Sequence, residues 1–157
     1  LTGAQGRAPR SIKSLYLGDG VLEAHNQKLQ QKYARAVAED VRYEEVETAD
    51  AELVFVAYGI CARVCRETVA RLRAQGIKAG LLRPLTLWPF PSAWLAAHAP
   101  RLAHIMAVEL SCGQMVEDVR LAVNNACPVS LYSRTGGGVM TCEELANAVQ
   151  QQLRTAG

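Results

Sequence analysis

An α/β domain, with a mostly parallel sheet and helices on both of its faces, is the fold class this sequence predicts. Two observations carry the prediction. Leu53–Tyr58 is a continuous apolar run of strand length, and Ile105–Leu110 is a second apolar run, broken by Glu109 alone; such runs are the signature of strands covered on both faces. Between and after such runs stand segments with helical spacing, and strand–helix alternation implies βαβ units with right-handed crossovers. At 157 residues and 50% hydrophobic content the chain can bury one full core without metal or disulfide help.

The elements follow in order. Residues 1–18 open polar, Gly/Pro-containing and unpatterned, and are expected to be a linker. The chain starts at Leu1 rather than Met, and we expect it to be a piece of a longer protein. Residues 19–40 are expected to be a helical arm: Asp19 can cap it, Leu22, Leu29, Tyr33 and Val37 recur at helical spacing, and it ends near Asp40. Residues 41–157 then form the α/β domain. Val41–Val46 is β-leaning and only loosely alternating, which suits a short edge strand. Leu53–Tyr58 is the central strand, ended by Gly59. Ile60, Val64, Thr68 and Leu72 mark one face of the next helix, which stops at Gly76, with Arg63, Arg66, Arg71 and Arg73 as its solvated side.

Lys78–Leu82 reads as the third strand. Pro84, Pro89 and Pro91 forbid a regular helix or a central strand over Arg83–Pro91. Ser92–His98 is a short helix and His104–Leu110 a further buried strand. Met115, Val119 and Val123 lie on a helix whose Glu117 and Asp118 point outward. Val129–Tyr132 is the last strand. Thr141-x-x-Glu144 is a capping box opening a helix with Leu145, Val149 and Leu153 on one face.

Composition excludes several function classes. Seventeen Lys and Arg against fifteen Asp and Glu leave a net charge of +2 with scattered basic residues, which disfavours nucleic-acid binding. The apolar runs fall far short of the roughly 20 residues of a membrane span, and no signal region opens the chain, so no membrane partner is expected and the reading is cytoplasmic. Five cysteines, Cys61, Cys65, Cys112, Cys127 and Cys142, are an odd number and are read as reduced thiols. Cys61 and Cys65 stand four apart on a helix, but no third or fourth ligand at metal-site spacing accompanies them, and packing as small hydrophobes is the simpler reading. No metal site is expected.

Catalytic motifs are missing: no Gly-rich dinucleotide turn, P-loop or nucleophile elbow occurs. His25, His98 and His104 sit on three different elements and are not expected to converge. Three places fall at strand ends, where open α/β sheets put ligands. They are Tyr58-Gly59-Ile60 at a helix start, the Glu109–Gln114 turn in which Glu109 can orient the loop containing Gly113 and Gln114, and Arg134-Thr135-Gly136-Gly137-Gly138. The last offers bare amides and one arginine for a phosphate or, more simply, a flexible connection.

The stretch Leu81-Leu82-Arg83-Pro84-Leu85-Thr86-Leu87-Trp88-Pro89-Phe90-Pro91 is distinctive. With Val56–Gly59 before it, Glu109–Arg120 after it, and Pro9–Tyr16 and His25–Tyr33 at the start, it closely resembles the C-terminal part of the α-subunit of 2-oxoacid:ferredoxin oxidoreductases, of the 2-oxoisovalerate and 2-oxoglutarate types. The resemblance covers essentially the whole chain. It implies a three-layer αβα domain similar to the transketolase C-terminal domain, with five strands and an antiparallel edge strand. It also implies a complex that oxidatively decarboxylates a 2-oxoacid to an acyl-coenzyme A and reduces ferredoxin. Thiamine diphosphate, magnesium and iron–sulfur clusters would be bound by other domains and subunits, none by this fragment, which is expected to be inactive alone.

Two roles follow from that reading. The first is a structural, subunit-interaction domain with no catalytic residue. Its contacts would be made by Arg83, Pro84, Trp88, Pro89 and Phe90, because a proline-stiffened loop at a strand end loses little entropy on docking and aromatic side chains carry interface energy. Coverage of the local core by Trp88 and Phe90 is the competing reading. The second role is a small-molecule module holding a coenzyme A phosphate or regulatory anion at Arg134 and Gly136–Gly138.

Overall fold

The computed structural model describes residues 3–155, with side chains as far as residue 152. The linker start at Thr2 and the expected inward side chain of Leu153 lie outside the described residues. The elements in chain order are α1 (Val21–Glu39), β1 (Tyr43–Val46), β2 (Leu53–Ala57), α2 (Gly59–Ala74), β3 (Ala79–Pro84), α3 (Ser92–His98), β4 (His104–Glu109), α4 (Met115–Val123), β5 (Val129–Ser133) and α5 (Cys142–Thr155).

The five strands form one sheet in the order β1-β3-β2-β4-β5. β2 pairs in parallel with β3 and β4, and β4 in parallel with β5. β1 pairs antiparallel with β3, from Tyr43 opposite Pro84 to Val46 opposite Leu81. The expected antiparallel edge strand is therefore present.

All five residues of β2 are buried, and their alternation divides the interior. Phe55 and Ala57 join Cys61, Cys65, Val69 and Leu72 of α2 and Leu145 and Val149 of α5 in one layer. Val54 and Val56 join Trp94 and Leu95 of α3 and Val116, Val119 and Val123 of α4 in the other. Helices on both faces follow directly, because a strand apolar on both sides must be covered on both.

Several expectations are corrected. Asp19 does not cap α1: Gly20 occupies that position in a left-handed conformation, and no side chain bonds the first amides. On α2 the buried line runs through Cys61, Cys65, Val69 and Leu72, while Ile60 is half exposed. Thr68 and Leu72 of the expected face are buried and Val64 packs against the core, so the buried face is the expected one widened by Cys61, Ala62, Cys65 and Val69, with Ile60 left at its edge. Arg73 is not simply solvated. Its guanidinium bridges Asp50 (2.6 Å) and the carbonyls of Glu47 and Ala79 (both 2.7 Å), tying the end of α2 to the β1–β2 connection and the start of β3.

β3 starts at Ala79 and continues past Leu82 through Arg83 and Pro84. β2 is in register with β3 only as far as Leu82. Beyond it only β1 flanks the strand, and an edge position tolerates a proline. Gly80 has a specific reason to be glycine: a Cβ there would stand 2.7 Å from the Glu47 carbonyl oxygen and 3.1 Å from Thr48 Cα. The capping box at α5 forms as expected, with the Thr141 amide donating to Glu144 Oε2 (2.9 Å) and the Glu144 amide to Thr141 Oγ1 (3.2 Å).

Candidate interaction site

The parallel pairing of β2, β4 and β5 brings the three strand-end loops to one edge of the sheet. Ala57 lies opposite Val108, and Glu109 opposite Ser133. Tyr58 and Gly59, the Glu109–Gln114 turn and the Arg134–Gly138 loop therefore follow one another along it. Glu109 is the organising residue. It is 1% exposed, and its carboxylate accepts the Ser111 hydroxyl (2.5 Å) and the amides of Gln114 (3.0 Å), Met115 (3.1 Å) and Val116 (3.1 Å). Burial pushes its pKa up, but the hydroxyl and the three amides outweigh that and hold it below the ordinary carboxylate value. A buried side chain thus caps α4 from the preceding strand. Its acceptor sites are occupied, so it orients the Gly113–Gln114 turn and is not poised as a base. At Gly113, with φ 101°, an added Cβ would meet Leu131 at 3.1 Å.

Gly136 and Gly137 are exposed with positive φ, but the one arginine of that loop is engaged. Arg134 pairs with Glu144, the capping-box acid of α5. The histidines do not converge: His25 stacks on Tyr16, His98 stacks on Trp94, and His104 bonds the Ser130 hydroxyl (2.7 Å). Cys61, Cys65 and Cys127 are buried, and burial pushes all three thiols up. Among the described residues no group of three or more His, Cys, Asp or Glu side chains is placed to hold a metal ion. The donor set thus fits neither a magnesium ion nor an iron–sulfur cluster. No described helix is long and apolar enough to cross a membrane.

The arrangement that stands out is apolar. Not one residue of α1 is buried, and its Tyr33 ring meets Trp88 edge-on at 5.5 Å. Trp88 itself is 61% exposed. The loop that carries it is anchored by Thr86, whose hydroxyl donates to the Pro89 carbonyl (2.8 Å) and accepts the Arg42 amide (3.0 Å). Between this loop and the domain lies a cleft of about 430 Å³. Val37, Ala38 and Val41 form one wall, Tyr43 of β1 and the segment from Trp88 to Trp94 the other, and Asp118 of α4 contributes the one carboxylate.

Of the five expected contact residues, Trp88 alone presents a large open surface. Pro84 and Pro89 are buried, Phe90 packs partly against the second core layer, and Arg83 is bound to Glu44 (3.0 Å). Within this domain the other four are covered in part, and Pro89 and Phe90 also line the cleft, so a contact role for them stays a proposal. Leu85, Leu87 and Val37 are exposed apolar residues of the same region that sequence reasoning missed. The sequence signals for this patch were Trp88 on its proline-flanked loop and the helical spacing of Tyr33 and Val37.

These observations define the class: a three-layer α/β domain with one antiparallel edge strand and an exposed apolar arm and loop. Comparison with known proteins gives the family. Residues 51–145 match the family described as pyruvate:ferredoxin oxidoreductase core domain II, and the chain belongs to that family. It is 43% identical over 140 residues to the ketoisovalerate oxidoreductase subunit VorB of Methanothermobacter thermautotrophicus, a match covering 89% of this chain and 40% of that protein. It is 34% identical over 105 residues to the 2-oxoglutarate synthase subunit KorA of Methanocaldococcus jannaschii, covering 67% of this chain and 28% of that one.

Among solved structures, the chain resembles the 2-oxoglutarate:ferredoxin oxidoreductase from Magnetococcus marinus with 2-oxoglutarate, coenzyme A and succinyl-CoA bound. There the TM-score is 0.71 at 26% identity, covering 87% of this chain and 24% of that one. A split-gene transketolase, an inactive β4 tetramer, shares the fold with a TM-score of 0.62 at 22% identity, over 72% of this chain and 41% of its own. The chain spans 40% or less of the length of the VorB and KorA relatives it matches.

Proposed function

We propose that this chain is a non-catalytic, subunit-interaction domain of a 2-oxoacid:ferredoxin oxidoreductase. In this reading the complete complex oxidatively decarboxylates a 2-oxoacid to acyl-coenzyme A and passes electrons to ferredoxin. Thiamine diphosphate, magnesium and iron–sulfur clusters would reside in other domains and subunits. The relatives named for ketoisovalerate and 2-oxoglutarate support the reaction class, and the cytoplasm is the proposed location.

The observation that carries the interaction role is the exposed apolar surface made by α1 and Trp88. A domain that leaves Tyr33, Val37 and Trp88 exposed around one cleft, with Leu85 and Leu87 exposed on the loop that carries Trp88, presents a surface suited to a partner. Trp88→Ala in the assembled complex tests it. Weakened assembly with an unfolding midpoint of the domain unchanged within about 1 kcal/mol supports contact. A loss of roughly 3–5 kcal/mol in domain stability would mean that Trp88 is core after all.

The second reading, a coenzyme A phosphate or regulatory anion at Gly136–Gly138, draws support from the positive-φ glycines and from the coenzyme A in the Magnetococcus marinus structure. It requires Arg134 to leave Glu144. Calorimetric titration of the chain with coenzyme A decides it, saturable binding lost in Arg134→Ala being the positive result.

A further inference from the structure

We infer that the cleft between the end of α1 and the Trp88–Trp94 segment receives a basic side chain, an arginine by preference, from a part of the same polypeptide beyond these 157 residues. The inference rests on the interaction-domain reading above and specifies what that surface takes.

Three observations lead to it. Asp118, exposed on α4, stands at the edge of the cleft, and among the described residues no ion pair or hydrogen bond engages it. The same cleft is lined by the aromatic rings of Tyr43, Trp88 and Phe90. A carboxylate beside aromatic faces is a receptor for a planar cation, which can pair with the acid and stack on a ring at once. Behind the lining, Trp94 Nε1 is sealed from water and has no acceptor. A buried donor without an acceptor costs free energy, so this wall is not at its most stable in the free domain.

The surroundings favour a polypeptide over a small cation. At the rim, Tyr33, which meets Trp88 edge-on, and Leu87, next to Trp88 in the chain, are exposed, and a small ligand would leave them in water. A chain segment covers cleft and rim together. Relatives that share this region are more than twice as long. The remainder of such a polypeptide is tethered to the cleft at high effective concentration, which favours it over a separate molecule.

The test uses the full-length subunit in its complex, with a photo-crosslinking benzoylphenylalanine in place of Leu87. The expected product is a crosslink within one polypeptide, to a peptide containing arginine or lysine, with no band of higher mass on a denaturing gel. Asp118→Asn is expected to reduce its yield up to about fivefold, the upper end for loss of an exposed ion pair, and Asp118→Glu to restore most of it. Because no described residue pairs with Asp118, neither change is expected to move the unfolding midpoint beyond the small effect of an exposed first-turn acid. A crosslink to a second copy or to another subunit, seen as a heavier band, overturns this inference and leaves the interaction-domain reading standing, as does a yield indifferent to Asp118→Asn. No crosslink of any kind overturns both.

Discussion

Helices α1 and α2 are of similar length, 19 and 16 residues, and differ in what they bury. α2 places Cys61, Ala62, Cys65, Thr68, Val69 and Leu72 in the interior, and α1 places none of its residues there. An isolated helix of α1's length is marginal in water, since most helix stability comes from packing. The contrast teaches that an amphipathic pattern reports a face seeking cover, not where the cover is. On α2 it lies within the domain. For α1 the domain offers the Tyr33–Trp88 contact and a cleft wall.

The sharpest way to break the contrast is to truncate one leucine on each helix. Leu72→Ala, on a side chain fully buried between α2 and the sheet, is expected to cost about 2–5 kcal/mol in denaturant unfolding. Leu22→Ala, on a half-exposed side chain of α1, is expected to stay within about 0.5 kcal/mol. Equal losses would mean that α1 belongs to the domain core.

A smaller effect sharpens the comparison at helix starts, because α4 has a buried carboxylate at its first turn and α1 has no side-chain cap. Glu109→Gln leaves amides facing an imperfect acceptor and is expected to cost about 1–3 kcal/mol. The pH dependence carries the same information. Glu109 has its pKa lowered on folding, so its contribution is present above the unfolded carboxyl value of about 4.3 and is lost as pH falls through the folded one. Glu44, Asp50 and Glu144 shift in the same direction. Acid titration of the unfolding midpoint should show this decline, with a shallower slope in Glu109→Gln. The smallest change expected is Thr141→Ala at α5, about 1 kcal/mol through loss of the cap, read from the same unfolding curves.

What was legible in the sequence was local. The continuous run of β2 declares burial on both faces by itself, and the Thr141–Glu144 box closes within one turn. The position of Glu109 at a strand end before a helix sufficed to assign it an orienting role. Pro84 was misplaced because its tolerance depends on register with β1, some forty residues earlier. The full width of the buried face of α2 was missed because Cys61 and Cys65 had to be weighed as core residues before any neighbour was known. The cleft joins Val37, Trp88 and Asp118, which share no periodicity and meet only through the sheet order.

The division of β2 between two layers has an evolutionary consequence. Volume lost at Phe55 can be made good from α2 or α5, but not from α3 or α4, because the sheet backbone lies between them. Compensating substitutions should therefore run in two separate sets, with Phe55 and Val56, though adjacent in sequence, each free to change without the other.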